Sequence, residues 1–149
     1  MKRNLWLLSI ILILGFTSVH AQSRPFGLGL MFGSPTGLSA KLWLSEASAL
    51  DAGAAWSLYH DGYFRIHLDY LHHSYLINVS KGKLPLYYGI GGRVGFSDDV
   101  RVGLRVPVGL EYIFPNESFD IFFELVPGMD LLPATEFQLD GAIGCRYFF

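Results

Sequence analysis

The chain has 149 residues, enough for one domain. Hydrophobic residues make up 51% of it and charged residues only 16%, against a usual charged share of about 25%, so the composition argues against an ordinary water-soluble domain. The formal net charge of −2 argues against nucleic-acid binding, which needs a basic patch, and the single cysteine, Cys145, excludes an intrachain disulfide.

Residues 1–21 are predicted to be a cleaved signal peptide. Lys2 and Arg3 form a positive start, residues 5–16 form an apolar core, and residues 19–21 (Val-His-Ala) fit a cleavage site. The alternative is a retained single-span anchor, but the apolar core is shorter than the ~20 residues that a membrane helix needs. Cleavage would leave Gln22 as the mature start, with nine basic residues against 13 acidic ones and a net charge of −4.

Residues 22–149 are predicted to form a single barrel domain of eight β-strands. Period-two alternation of apolar and polar residues recurs along this part, broken at even intervals by turn residues such as Asp61-Gly62. Its 16 glycines argue against long helices. The predicted strands are 26–32, 36–45, 49–59, 63–75, 84–96, 100–114, 119–131 and 136–149.

The length of the alternation indicates a membrane barrel. Residues 100–112 place Val or Leu at nearly every even position, whereas Arg101, Arg105 and Glu111 lie at odd positions. Strands in soluble proteins are mostly 5–6 residues long, whereas a tilted membrane crossing needs 9–11. We therefore predict an all-β, antiparallel, up-and-down transmembrane β-barrel of eight strands.

The less apolar face of these strands carries ten charged residues, five of each sign. Eight strands enclose an interior that side chains just fill, and a buried charge must find a partner, so the ten are predicted to form a salt-bridge network that plugs the lumen. The network comprises Lys41, Asp51, Arg65, Asp69, Arg93, Arg105, Glu111, Glu124, Asp140 and Arg146. An acid/base site within this network is the alternative.

The end of the chain is predicted to be a C-terminal assembly signal. Gly144, Tyr147 and Phe149 resemble the terminal β-signal of outer-membrane proteins, which the barrel-assembly machinery reads. Phe149, Tyr147 and Cys145 would share the lipid-facing side of the last strand. The alternative is a soluble edge strand, but a bare hydrophobic edge is an aggregation hazard. Aromatic residues near other strand ends, Tyr87 and Tyr88 among them, fit interfacial girdles.

Three phrases carry a wider resemblance: residues 33–41 (GSPTGLSAK), 84–93 (LPLYYGIGGR) and 105–112 (RVPVGLEY). They resemble a family of uncharacterised outer-membrane barrels, and in size and terminal signal the chain is similar to barrels of the OmpA/OmpX type. The resemblance covers residues 22–149. It implies a barrel fold and an outer-membrane location but no known activity. The short connections of this chain argue against an adhesin, since most OmpA/OmpX-type members have long functional loops.

No catalytic, cofactor or metal site is predicted. His67, Asp69 and His73 share a face, but with about 3.3 Å per residue they span about 20 Å, too far for one metal ion. Ser74 or Ser80 near His72 could belong to a lipid-modifying enzyme, although no motif supports this. A lipocalin-like ligand-binding barrel would need an apolar interior instead of a charged one.

We therefore expect a monomeric, non-enzymatic outer-membrane barrel with a structural, anchoring or surface-interaction role. Its expected partners are outer-membrane lipid and, during biogenesis, the assembly machinery, with no nucleic acid. Charged side chains that fill the lumen also predict little or no conductance.

Overall fold

A computed structural model describes residues 24–34, 36–56 and 63–149. The predicted signal peptide and the Asp61-Gly62 turn lie outside the described residues. Within them no helix is long and apolar enough to cross a membrane. The nine strands are β1 Phe26–Ser34, β2 Gly37–Trp43, β3 Ser48–Trp56, β4 Phe64–Ser74, β5 Leu86–Phe96, β6 Val100–Arg105, β7 Val108–Ile113, β8 Phe119–Leu132 and β9 Glu136–Phe148.

The strands close into a barrel in which every pairing is antiparallel. Consecutive strands pair from β1 to β5, β8 pairs with β9, and β1 also pairs with β9 from Gly27–Phe148 to Ser34–Gly141, which closes the ring. β6 and β7 occupy one position in the ring, because both pair with β5 on one side and β8 on the other. The ring therefore has eight positions, and the predicted eight-stranded up-and-down barrel is confirmed.

The predicted strand 100–114 is interrupted at Val106 and Pro107, so it appears as two strands. Proline lacks an N–H and cannot donate to a β-ladder. Hydrogen bonding continues across the break, since the Val106 N–H donates to the Pro127 carbonyl at 2.9 Å and the Gly89 N–H donates to the Pro107 carbonyl at 3.0 Å. The interruption therefore leaves the wall closed.

The two faces of the wall differ in polarity. Leu104, Val106 and Ile90 are 47%, 44% and 61% exposed on the outside, whereas Arg105 is fully buried inside. Adjacent residues of a strand point to opposite faces, so this alternation runs round the whole barrel. The outer surface is consequently an apolar band and the interior is polar.

Two clusters of buried apolar side chains also lie inside the barrel. Trp43, Ala49, Ile113 and Phe148 pack together at the end of the barrel where β1 begins and β9 ends, which we call the terminal end. Met31, Ala55, Leu71, Tyr87 and Phe122 form a second cluster deeper in the lumen. The prediction that Tyr87 belongs to an outer girdle is wrong: Tyr87 is 1% exposed, and only its neighbour Tyr88 faces outwards.

Candidate functional site: the charged barrel interior

All ten charged residues of the predicted network lie inside the barrel, each at most 8% exposed. Two further carboxylates, Asp120 and Asp130, are buried with them. Sequence reasoning omitted these two, although both lie on the same side of β8 as Glu124 by period-two alternation. The twelve side chains form three clusters along the barrel axis.

The terminal cluster is centred on one guanidinium group, that of Arg146. Its Nε donates to both carboxylate oxygens of Asp120 at 3.2 and 3.1 Å, its Nη2 donates to Glu111 at 3.0 Å, and its Nη1 pairs with Asp51. Side chains from β3, β7, β8 and β9 thus meet at one point. The remaining member is Lys41 from β2, so the terminal cluster comprises Lys41, Asp51, Glu111, Asp120 and Arg146.

Lys41 makes short polar contacts with Glu111 of the terminal cluster and with the neighbouring His73. Nζ lies 2.7 and 2.6 Å from the two oxygens of Glu111 and 2.8 Å from Nε2 of His73. The same ammonium group lies 4.5 Å from the ring centroid of Trp43 and 5.4 Å from that of Tyr87. Such cation–π contacts add stability when the cation is shielded from water.

The middle cluster contains Asp69, Arg105 and Glu124. Arg105 Nε lies 3.0 Å from Asp69 Oδ2, and Nη2 lies 3.6 Å from Glu124 Oε1. Neither contact has hydrogen-bond geometry, and Asp69 Oδ1 also has no protein partner. The Tyr87 hydroxyl donates to Glu124 Oε2 at 2.9 Å. Gly91 makes room for this cluster, because a Cβ there would collide with the Asp69 carboxylate.

The distal cluster lies towards the opposite end and comprises Arg65, Arg93, Asp130 and Asp140. Arg93 donates to Asp130 Oδ1 through Nε and Nη2 at 3.0 and 2.8 Å, and to Asp140 through Nη1 at 3.1 Å. Arg65 Nη1 donates to the same oxygen of Asp140 at 3.0 Å. Gln138 adds a bond to Asp130 at 2.8 Å. Multiple charge-assisted bonds of this kind are short and directional.

The residues of the predicted assembly signal occupy the outer surface and the wall of β9. Tyr147 and Phe149 are 47% and 64% exposed, and their rings meet edge to face with centroids 5.2 Å apart. Gly144 lies where a Cβ would collide with the ring of Phe122. The side chains of Tyr147 and Phe149 thus project outwards at the end of β9 and the residue that follows it.

A comparison with solved structures gives one match, the N-terminal β-barrel domain of OprF from Pseudomonas aeruginosa. The identity is 17% and the TM-score is 0.59, and the match covers 86% of this chain and all of that domain. The likeness is one of fold. It agrees with the predicted OmpA-type barrel.

Comparisons of sequence add no further relative. No family model matches the chain, and the curated proteins give no match either. The resemblance to a family of uncharacterised barrels therefore stays a prediction.

Within the described residues no hydrogen bond joins His72 to Ser74 or Ser80, the serines that the enzyme alternative names. The histidine in question, His72, is the cross-strand partner of Ser48, and its ring centroid lies 5.5 Å from that of Tyr88. Among the hydrogen bonds of the described residues, none joins His72 to Ser48 or to Ser74, whereas Ser48 accepts a bond from Tyr70 at 3.0 Å. Nucleophilic catalysis needs a base within hydrogen-bond reach of the serine.

Histidines of the interior do not form a metal site within the described ranges. No group of three or more His, Cys, Asp or Glu side chains there is arranged to hold a metal ion. Nε2 of His67 lies 4.0 Å from Asp51, and Nε2 of His73 lies 3.0 Å from Glu111. Both histidines are buried and belong to the charged interior.

A cavity of about 480 Å³ opens at the terminal end. Residues 75–85 form the longest connection in the described part of the chain. At this end they contact the β2–β3 turn, which holds Glu46, and the β7–β8 turn, which holds Glu117. The Tyr75 hydroxyl donates to the Glu46 carbonyl at 2.8 Å, and Lys83 pairs with Glu117 at 2.7 Å. Burial raises the pKa of Tyr75 to about 12. The other lining residues are Ile77, Asn78, Val79, Gly82 and Leu84.

Proposed function

We propose that this chain is a small, monomeric, non-enzymatic outer-membrane β-barrel protein with a structural, anchoring or surface-interaction role. One observation carries the proposal: a closed wall that is apolar outside and charged inside. Eight antiparallel strands leave no open edge, which is the condition for a β-structure to span a bilayer. A water-soluble lipocalin-like barrel would need the opposite polarity.

The lumen is plugged in this proposal. The twelve buried charged side chains and the two apolar clusters occupy the interior from the terminal cluster to the distal cluster. Ion pairs that cross the lumen, such as those of Lys41 with Glu111 and of Arg146 with Asp51, should leave no continuous water path for ions. The protein therefore acts through its outer surface and its ends, and not as a pore.

In this proposal the segments at the two ends of the sequence direct export and membrane assembly. Residues 1–21 direct export and are removed, and the assembly machinery recognises Gly144, Tyr147 and Phe149 on β9. Both steps are general to exported outer-membrane barrels, and the apolar band then holds the folded chain in outer-membrane lipid.

Fractionation of cells that express the full chain tests this proposal. The protein should require detergent for extraction from the outer-membrane fraction and should migrate faster on a gel before heating than after it. The extracted protein, placed in a planar lipid bilayer, should give little or no ion conductance. Recovery in the soluble periplasmic fraction would refute the membrane location, and stable ion channels would refute the plugged lumen.

A further inference from the structure

The buried interior contains more carboxylates than cations. Within the described residues seven acidic and five basic side chains are at most 8% exposed. At the distal rim the partly exposed Arg101 lies 3.8 Å from Asp130 but closer, at 3.4 Å, to the exposed Glu136, so the two rim charges offset each other. At the terminal end Arg24 donates to the Ser118 hydroxyl, and none of the salt bridges of the described residues joins it to a carboxylate. An ionised group that is buried without compensation is strongly unfavourable. The seven acidic residues are Asp51, Asp69, Glu111, Asp120, Glu124, Asp130 and Asp140.

The excess is divided equally between two of the three clusters. The distal cluster is balanced, with two arginines and two aspartates. The middle cluster has two carboxylates on one guanidinium. The terminal cluster has three carboxylates on Arg146, with Lys41 as its second cation. Each of these two clusters therefore lacks one positive charge.

The two buried histidines do not supply the missing charges. Nε2 of His73 lies 2.8 Å from Lys41 Nζ and 3.0 Å from Glu111, and its Nδ1 has no partner. A charged imidazole there would hold one N–H against the ammonium group of Lys41 and leave the other without a hydrogen bond. Nδ1 of His67 has no partner, and its Nε2 is 4.0 Å from Asp51. A charged imidazole there would have two N–H groups and no hydrogen bond.

We infer that the lumen binds two protons at neutral pH, one on a carboxyl group of the terminal cluster and one on a carboxyl group of the middle cluster. Every strand except β1 faces these sites with a polar or charged group. The facing groups are Lys41 from β2, Asp51 from β3, His67, Asp69 and His73 from β4, Tyr87 and Arg93 from β5, Arg105 from β6, Glu111 from β7, Asp120 and Glu124 from β8, and Arg146 from β9.

Bound protons make the stability of the barrel depend on pH. Above about pH 7 the carboxyl groups of the unfolded chain are ionised and its histidines are mostly neutral, so the folded chain holds about two protons more than the unfolded one. Stability then falls as pH rises, because the unfolded state binds fewer protons. Each retained proton multiplies the unfolding equilibrium constant by about ten per pH unit, so the wild type should show about a hundredfold change per unit.

Infrared spectroscopy and urea unfolding between pH 7 and 8.5, on protein refolded in lipid vesicles, test the inference. The wild type should show a band of protonated carboxyl groups. Asp120→Asn and Asp69→Asn should each lose about half of this band, and each should reduce the pH effect to about tenfold per unit. Asparagine imitates a protonated aspartate in shape, so both variants should fold. Asp140→Asn, the same change in the balanced distal cluster, should keep the full band and the full pH effect.

Three results would overturn the inference. One is a wild type without a carboxyl band whose stability rises with added NaCl, which would assign the missing charges to metal cations. Another is a full pH effect without a carboxyl band, which would place the protons on His67 and His73. The third is equal loss of the band in Asp140→Asn. Although the inference rests on the filled lumen of the proposed function, channel activity together with the full carboxyl band would refute only the plug.

Discussion

Replacing Val106 with arginine would test the membrane position of the barrel. Val106 is 44% exposed on the outer face and lies at the middle of the ring position formed by β6 and β7. A charge at the bilayer midplane costs about 2–4 kcal/mol in membrane barrels. At about 1.4 kcal/mol per factor of ten, the unfolding equilibrium constant should rise roughly 30- to 700-fold.

Val100→Arg is the matched control, since Val100 is also exposed on the outer face and begins β6. The two positions are six residues apart, about 20 Å along the strand at 3.3 Å per residue. With a tilt of about 40°, this distance becomes about 15 Å along the membrane normal, more than half of the apolar band of about 25 Å. Arginine at Val100 would therefore lie near the interface, where it costs about 0–1 kcal/mol.

Urea unfolding in lipid vesicles, followed by tryptophan fluorescence, measures both variants. The cost of Val106→Arg should exceed that of Val100→Arg and should shrink in thinner bilayers, whereas the small cost of Val100→Arg should change little. Equal costs for the two variants would contradict a membrane position with Val106 at its centre. Labelling of a cysteine at position 106 by a water-soluble reagent, with position 105 inaccessible to water and close to lipid, would refute the register itself.

Three other changes test the interior and the ends of the chain. Arg105→Met should destabilise the barrel by about 3–5 kcal/mol in micelles as in bilayers, because it leaves buried carboxylates unpaired; adding Asp69→Asn should recover part of the loss, and no recovery in urea unfolding would contradict the pairing. Phe149→Asp should impair membrane assembly in cells more than refolding in detergent, with Phe149→Tyr as the control; normal insertion would count against an assembly signal. Mass analysis of exported protein should find Gln22 first, and retention of residues 1–21 would disprove cleavage.

The sequence can predict which charged residues lie inside the barrel, but not which of them pair with each other. Period-two alternation places Arg105 inside and Val106 outside whatever the neighbouring strands are, because adjacent side chains of a strand point to opposite faces. The same rule applied to β8 would have added Asp120 and Asp130. It could not show that Arg146 binds Asp51, Glu111 and Asp120, because those contacts depend on the stagger between strands up to 95 residues apart in the chain.

The interruption of the long strand at Val106 and Pro107 also needed the tertiary structure. Proline is visible in the sequence, but whether it ends a strand depends on the hydrogen bonds around it. Here Gly89 and Pro127 on the flanking strands keep their bonds to this segment, so the wall stays closed. The inward position of Tyr87, by contrast, did not need the tertiary structure, because alternation with Tyr88 already indicates that only one of the two faces outwards.

The sequence by itself determined that this chain is a closed β-structure with an apolar exterior, because alternation sustained over more than ten residues has no other stable outcome in a bilayer. Position in the strand assigns each side chain to a face, but the ten charged residues predicted for the interior omitted Asp120 and Asp130 and so gave it a net charge of zero, whereas the structure buries two more acidic groups than basic ones. Only the tertiary structure decided how that charge is divided. Strand stagger brings three carboxylates to Arg146 and two to Arg105, and so leaves two clusters unbalanced beside a third that is neutral.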